Sequence, residues 1–108
     1  MPELIQAGVT VALGHDCVQD PWSPMGRGDM LEVAHMGLHV AQMTSAKRIQ
    51  ACFDAVTKNA AKVMHLQGQG IEKGCCEASF MLLQAWDTVE RIRVRANRLE
   101  AWRTGTLN

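Results

Sequence analysis

The sequence has no apolar stretch near the roughly 20 residues that a bilayer-spanning helix needs, so no membrane segment is expected. It has no excess of either charge. Lys plus Arg is 11, Asp plus Glu is 11, and the formal charge is zero. That balance argues against a nucleic-acid binder, which usually carries a basic excess. No run of like charges marks a tail. The four cysteines, Cys17, Cys52, Cys75 and Cys76, make no CxxC pair and no regular framework. The opening Met-Pro-Glu-Leu-Ile-Gln lacks the basic cluster of a signal peptide. Free thiols in a reducing cytoplasm are therefore the expectation. There is no internal repeat and no low-complexity segment.

What remains is a chain of 108 residues, 47% of them hydrophobic. That is the size of one small domain and the composition of an ordinary globular one. Val9-Thr-Val-Ala-Leu13 is short, apolar and rich in β-branched residues, and predicts a buried strand. Gly14-His15-Asp16-Cys17 follows, and then a loop punctuated by Pro21, Pro24, Gly26 and Gly28.

Asp29 with Glu32 three residues on predicts a capped helix start. Met30, Val33, Ala34, Gly37, Leu38 and Ala41 then share one face. A second helix is expected from near Thr44 or Ser45, with Ile49, Cys52, Phe53 and Val56 inward. Thr57 is the expected cap of a third. Gly68, Gly70 and Gly74 mark a turn-rich link. Ala78 to Leu83 reads as a strand, Asp87 to about Arg93 as a capped helix, and Leu99 to Arg103 as a last strand. The first strand has no neighbour in this order to pair with. A buried strand without partners strands its N–H and C=O groups, which is costly. The sequence thus reads as a piece whose partner strands lie upstream.

Several residues could carry chemistry. Asp16 closely follows the apolar segment, and in parallel barrels and sheets ligands gather at strand ends. A carboxylate there can bind a divalent metal or take a proton from metal-bound water. It can equally cap a turn, and its spacing leaves both readings open. His15 can orient its neighbour Asp16 or bond the backbone. Trp22 can face a ligand or cover the loop. His35 and His39 are four apart on one helix face and could hold zinc. Met36 stands where a metalloprotease motif has Glu, so packing is the simpler reading. His65 has no partner in sequence and reads as surface. Trp86 and Trp102 read as core or interface residues. The arginines from Arg91 to Arg103 are interrupted by Glu100 and read as a solvated face.

The longer string Gly14-His-Asp-Cys-Val-Gln-Asp-Pro-Trp22 resembles the bacterial cytosine deaminases of the amidohydrolase superfamily. The resemblance continues through Gly28 to Val40, Gly70 to Cys75, Ala78 to Ala85 and Arg95 to Arg98. It implies an α/β fold: the carboxy-terminal fragment of a TIM barrel with part of a small β-rich domain. Residues 1–68 would be the last (eighth) barrel strand, the active-site loop and helices. Residues 69–108 would be the carboxy-terminal part of the small domain.

The same resemblance implies hydrolysis of the exocyclic amine of a pyrimidine-like ring by a metal-dependent hydrolase. Asp16 would ligate the metal and shuttle the proton from the attacking water. Cys17 and Trp22 would contact the substrate, with the indole against the ring. The full-length enzyme would use a divalent metal, iron or zinc, and would be a homo-oligomer. Cys17 departs from the family, whose best-known members have a second aspartate there. A thiol is smaller and a poorer acceptor, so the preferred ring substituent is left open. Ser23 replaces a common tyrosine, and Glu77 lies beside a short insertion after Cys75. No His-x-His pair occurs, and no His-x-Glu with Pro-Cys-x-x-Cys, the mark of the unrelated zinc deaminases. One carboxylate cannot hold a catalytic metal, so the chain alone is expected to be inactive. The alternative expectation is a non-catalytic helical module that binds a protein partner through an exposed apolar face.

Overall fold

The computed structural model describes residues 1–66, 69–70, 74 and 77–107. Pro2–Gln6 form α1, with proline in the first turn, where its missing N–H costs nothing. The Met1 ammonium pairs with Glu3 at 3.2 Å. Met1 and Ile5 turn inward against the core.

Val9–Leu13 joins no strand ladder among the described residues, which corrects the expected first strand. A ladder needs a neighbouring strand about 4.8 Å away, and the described residues place helices there instead. The Leu13 N–H donates to the Ala55 carbonyl at 3.0 Å. The Asn59 side-chain amide donates to the Val11 carbonyl at 3.1 Å. The segment is thereby strapped across the end of the next helices, and it delivers Asp16 to the surface.

Met30–Val40 form α2, begun by Asp29, whose carboxylate accepts the Leu31 N–H at 2.9 Å. Ala46–Val56 form α3 and Lys58–Val63 form α4. Thr57 sits between them but does not cap α4 with its side chain. Its hydroxyl donates back to the Phe53 carbonyl at 2.8 Å, the competing bond open to a threonine at a helix end. Helices α2 and α3 pack closely at Gly37. A Cβ there would lie 2.9 Å from Leu13 Cδ1 and 3.3 Å from Cys52 Sγ. The Cys52 thiol donates to the Ala34 carbonyl at 3.3 Å.

Gln69–Gly70 (β1) and Glu77–Ala78 (β2) make a short parallel pair. Phe80–Leu83 (β3), Arg98–Arg103 (β4) and Thr106–Leu107 (β5) form a three-stranded antiparallel sheet in the order β3-β4-β5. The expected strand from Ala78 is thus divided at Ser79. Its hydroxyl oxygen accepts the Thr104 N–H at 3.1 Å rather than extending one ladder. Phe80 faces Trp102 across the ladder, and their rings stack 6.0 Å apart. Such cross-strand aromatic pairs stabilise a sheet.

Between β3 and β4 runs α5, Thr88–Arg93, capped by Asp87, whose carboxylate accepts the Glu90 N–H at 2.8 Å. Of the turn-rich link, Gly70 lies in β1 and Gly74 has φ +83°, while Gly68 lies outside the described residues, as do Cys75 and Cys76.

Ala34, Met43, Cys52, Val56 and Ile92 form the buried cluster. It joins α2, α3 and α5, so the helix between the strands is pinned to the helical layer. The architecture is therefore mixed α/β, a helical layer with a small antiparallel sheet beside it. No described helix is long and apolar enough to cross a membrane. Trp102 is half-buried, but Trp86 is 98% exposed and is no part of this chain's core. Of the two roles expected of Trp86, core packing is excluded within this chain, where it lies beside an open recess with Gln84 and Ala85.

Candidate functional site

The segment from Gly14 to Gly28 has no helix or strand, yet it is folded on itself. Its organiser is Asp20. One carboxylate oxygen accepts the N–H of Trp22 at 3.0 Å and of Ser23 at 2.9 Å. The Asp20 carbonyl accepts the Ser23 N–H at 3.2 Å, closing a turn with Pro21 at its second position. The Ser23 carbonyl then accepts the Gly26 N–H at 3.0 Å.

Gly26 is buried against the start of the loop. A Cβ there would lie 2.8 Å from Ser23 Oγ, 3.0 Å from the Cys17 carbonyl and 3.1 Å from Val18 Cα. No side chain fits at that distance without displacing backbone, so glycine is required. The chain from Cys17 to Gly26 is consequently a closed ring.

Asp16 is exposed at the start of this ring and Cys17 is half-buried. The Cys17 thiol donates to Asp16 Oδ2 at 3.7 Å. It has one hydrogen and two carboxylates within its surroundings. Hydrogen bonding to Asp20, partial desolvation and the negative charge of Asp20 and Asp16 push its pKa up to about 11. At neutral pH it is an uncharged donor. Asp20 itself is held below the usual carboxylate range, first by the Ser23 amide and further by the Cys17 thiol and the Trp22 amide. Trp22 projects from the ring with 88% of its surface exposed, so its indole face is free. The loop thus gathers a carboxylate, a protonated thiol and an aromatic platform.

Asp20 was not singled out by the sequence reading, although Asp-Pro-x-Ser is a pattern that an aspartate turn would produce.

The histidines do less. His15 is half-buried and makes no hydrogen bond with Asp16. The rings of His35 and His39 lie 4.6 Å apart, but His39 Nδ1 is engaged by the His35 carbonyl at 2.7 Å. Burial, the neighbouring His39 and Arg95 lower the pKa of His35. Among the described residues, no group of three or more His, Cys, Asp or Glu side chains could hold a metal ion. Their donor set therefore does not by itself fit a catalytic metal, which takes about three protein ligands.

Comparison with known proteins shows what the chain is similar to. The model of the amidohydrolase family matches residues 1–105. Solved structures of 5-methylcytosine deaminase from Klebsiella pneumoniae, with phosphonocytosine or with 5-fluorocytosine, superpose with a TM-score of 0.88 at 34% identity. The match covers 98% of this chain and 26% of the deaminase. N-isopropylammelide isopropylaminohydrolase from Burkholderia multivorans superposes with a TM-score of 0.86 at 29% identity, over 95% of this chain and 26% of that one. The chain therefore spans about a quarter of the length of these enzymes. No protein of curated function matches it.

Proposed function

The chain belongs to the amidohydrolase family, and on that premise we propose that it is the carboxy-terminal part of a metal-dependent deaminase acting on a pyrimidine-like ring. The observation that carries this reading is the folded loop from Asp16 to Trp22. It stands within a match covering 98% of the chain to a deaminase whose structures hold phosphonocytosine and 5-fluorocytosine. The second neighbour's name describes hydrolysis of an isopropylamino group, so hydrolytic loss of an amine has support from two enzymes.

In this reading the whole protein uses a divalent metal, iron or zinc, and works as a homo-oligomer on a small-molecule substrate. The described donors are too few for the ion, so its other ligands have to come from outside them. Residues 1–68 would serve the last strand position, active-site loop and helices of a barrel. Residues 69–108 would serve the small β-rich domain.

Three side chains carry the proposed work. Asp16, exposed and with Oδ2 accepting the Cys17 thiol, would contribute one metal ligand and could take a proton from water held there. Trp22 offers its exposed indole to the flat ring. Cys17, uncharged at neutral pH, would present its sulfur beside the ring, with its single hydrogen directed to the neighbouring carboxylates.

The test is a chimera in which this chain replaces the matched quarter of the Klebsiella deaminase. Turnover of cytosine or 5-methylcytosine is expected, and none from this chain alone with added iron or zinc. A folded, metal-loaded chimera with no turnover of either base would remove the reading.

A second reading, a helical module that binds a protein partner, draws on exposed apolar side chains of α2. Val40 is 78% and Met36 60% exposed. Solubility and a monomeric sedimentation profile of the isolated chain at high concentration would count against it.

A further inference from the structure

We propose that Asp20 is the positioning residue of this site, holding Trp22 and Cys17 in one fixed frame. The proposal rests on the deaminase reading for what Trp22 and Cys17 touch, and on the loop alone for how they are held.

Trp22 has no packing that could fix it from its side chain, because 88% of its surface is exposed. Its place is therefore set by its backbone. Among the described residues its N–H donates to Asp20 Oδ1 at 3.0 Å, and the same oxygen also accepts the Ser23 N–H at 2.9 Å. Pro21 constrains the backbone between them, and its ring holds Asp20 itself out of helical conformation. The carboxylate thus fixes the two residues that follow the proline.

The frame closes on the other side. Ser23 passes its carbonyl to the Gly26 N–H at 3.0 Å. Gly26 lies so near the Cys17 carbonyl that an added Cβ would be 3.0 Å away. Trp22 and Cys17 are consequently joined through Asp20, Ser23 and Gly26, without a strand or helix between them. A shift at Asp20 moves the indole relative to the thiol.

Asp20 acts in this way without touching the core. The buried cluster is Ala34, Met43, Cys52, Val56 and Ile92, and none of its members is in the loop. Removing the carboxylate should disturb the frame while leaving the fold intact. Asparagine keeps an equivalent acceptor oxygen and forms the same side-chain turn, so it should restore the frame. A residue acting only through its negative charge would not be restored in this way.

The experiment uses the full chain labelled with 5-fluorotryptophan and read by fluorine NMR, with the Trp22 line assigned by Trp22→Phe. Asp20→Ala should shift and narrow the Trp22 line, with the Trp86 and Trp102 lines and the urea midpoint unmoved. Asp20→Asn should return the line to its original position. Gly26→Ala should displace it from the opposite side of the ring. An unmoved Trp22 line in Asp20→Ala overturns the proposal. So does an Asp20→Asn line matching the alanine variant, or a lowered urea midpoint showing that the whole fold has given way. The deaminase reading is tested separately by the chimera. A displaced Trp22 with an inactive chimera keeps the positioning role and removes the reaction, and an active chimera with an unmoved Trp22 does the reverse.

Discussion

Replacing Gly37 by alanine sets two effects of similar size against each other. In an exposed helix interior, Gly→Ala gains about 1 kcal/mol of propensity. Here the new Cβ would meet Leu13 Cδ1 at 2.9 Å and Cys52 Sγ at 3.3 Å. Leu13 is half-buried and its Cδ1 is the far end of a flexible side chain, so part of the overlap can be relieved. Cys52 is fully buried and bonded to the Ala34 carbonyl, so it has little room to yield. Overpacking a filled core costs about 1–3 kcal/mol. The net expectation is a loss of about 1 kcal/mol. With a urea m-value of about 2 kcal/mol/M, that lowers the midpoint by about 0.5 M. The assay is urea unfolding followed by far-UV circular dichroism. Leu13→Ala should remove most of the added penalty, so the double-mutant cycle should show a coupling of at least about 0.5 kcal/mol. A raised midpoint in Gly37→Ala, or no coupling to Leu13, would refute the close approach that carries residues 9–13 across α2. That approach also leads the chain to Asp16.

Ile92 is fully buried and fixes α5 to α2 and α3, so Ile92→Ala should cost about 2–5 kcal/mol in the same unfolding assay. His35, whose pKa is lowered by burial and by the neighbouring His39 and Arg95, should titrate in proton NMR below the ordinary imidazole value of about 6.5. Because the unfolded chain then holds the extra proton first, stability should rise with pH between the folded value and about 6.5; a fall with pH in that window would contradict the burial of the ring. Cys17, raised to about 11 by Asp20, desolvation and Asp16, should alkylate slowly at pH 7.5 and faster as pH approaches 11, read as the difference between wild type and Cys17→Ser. Rapid labelling of Cys17 at neutral pH would show that the carboxylates do not surround it.

The helix starts were legible because their causes are local. Asp29 and Asp87 stand directly before apolar-periodic segments, and both carboxylates accept helix N–H groups as expected. The strand from Leu99 was legible from its alternation, and it forms because Phe80–Leu83 is there to pair with it, beginning one residue earlier at Arg98. Val9 to Leu13 was not, because a strand is a relation between two segments. The composition of one segment specifies β-branched packing, and only a neighbour supplies a ladder. Thr57 shows a second limit: one hydroxyl can cap the following helix or bond back to Phe53, and sequence does not say which. Trp86 shows a third, since an indole with 98% exposure has the same sequence signature as a buried one. At the candidate site, the types of Asp16, Cys17 and Trp22 were visible in the string itself. The frame that joins them was not, because it depends on Gly26 returning to the Cys17 carbonyl across nine positions of irregular chain.

In the proposed enzyme this chain supplies Asp16 to the deaminase centre. The direct measurement is steady-state deamination of 5-methylcytosine by the Klebsiella chimera carrying Asp16→Ala, beside the unsubstituted chimera. A loss of at least about 100-fold in kcat/KM is expected, with the circular dichroism spectrum unchanged. Equal turnover by the two proteins would contradict it.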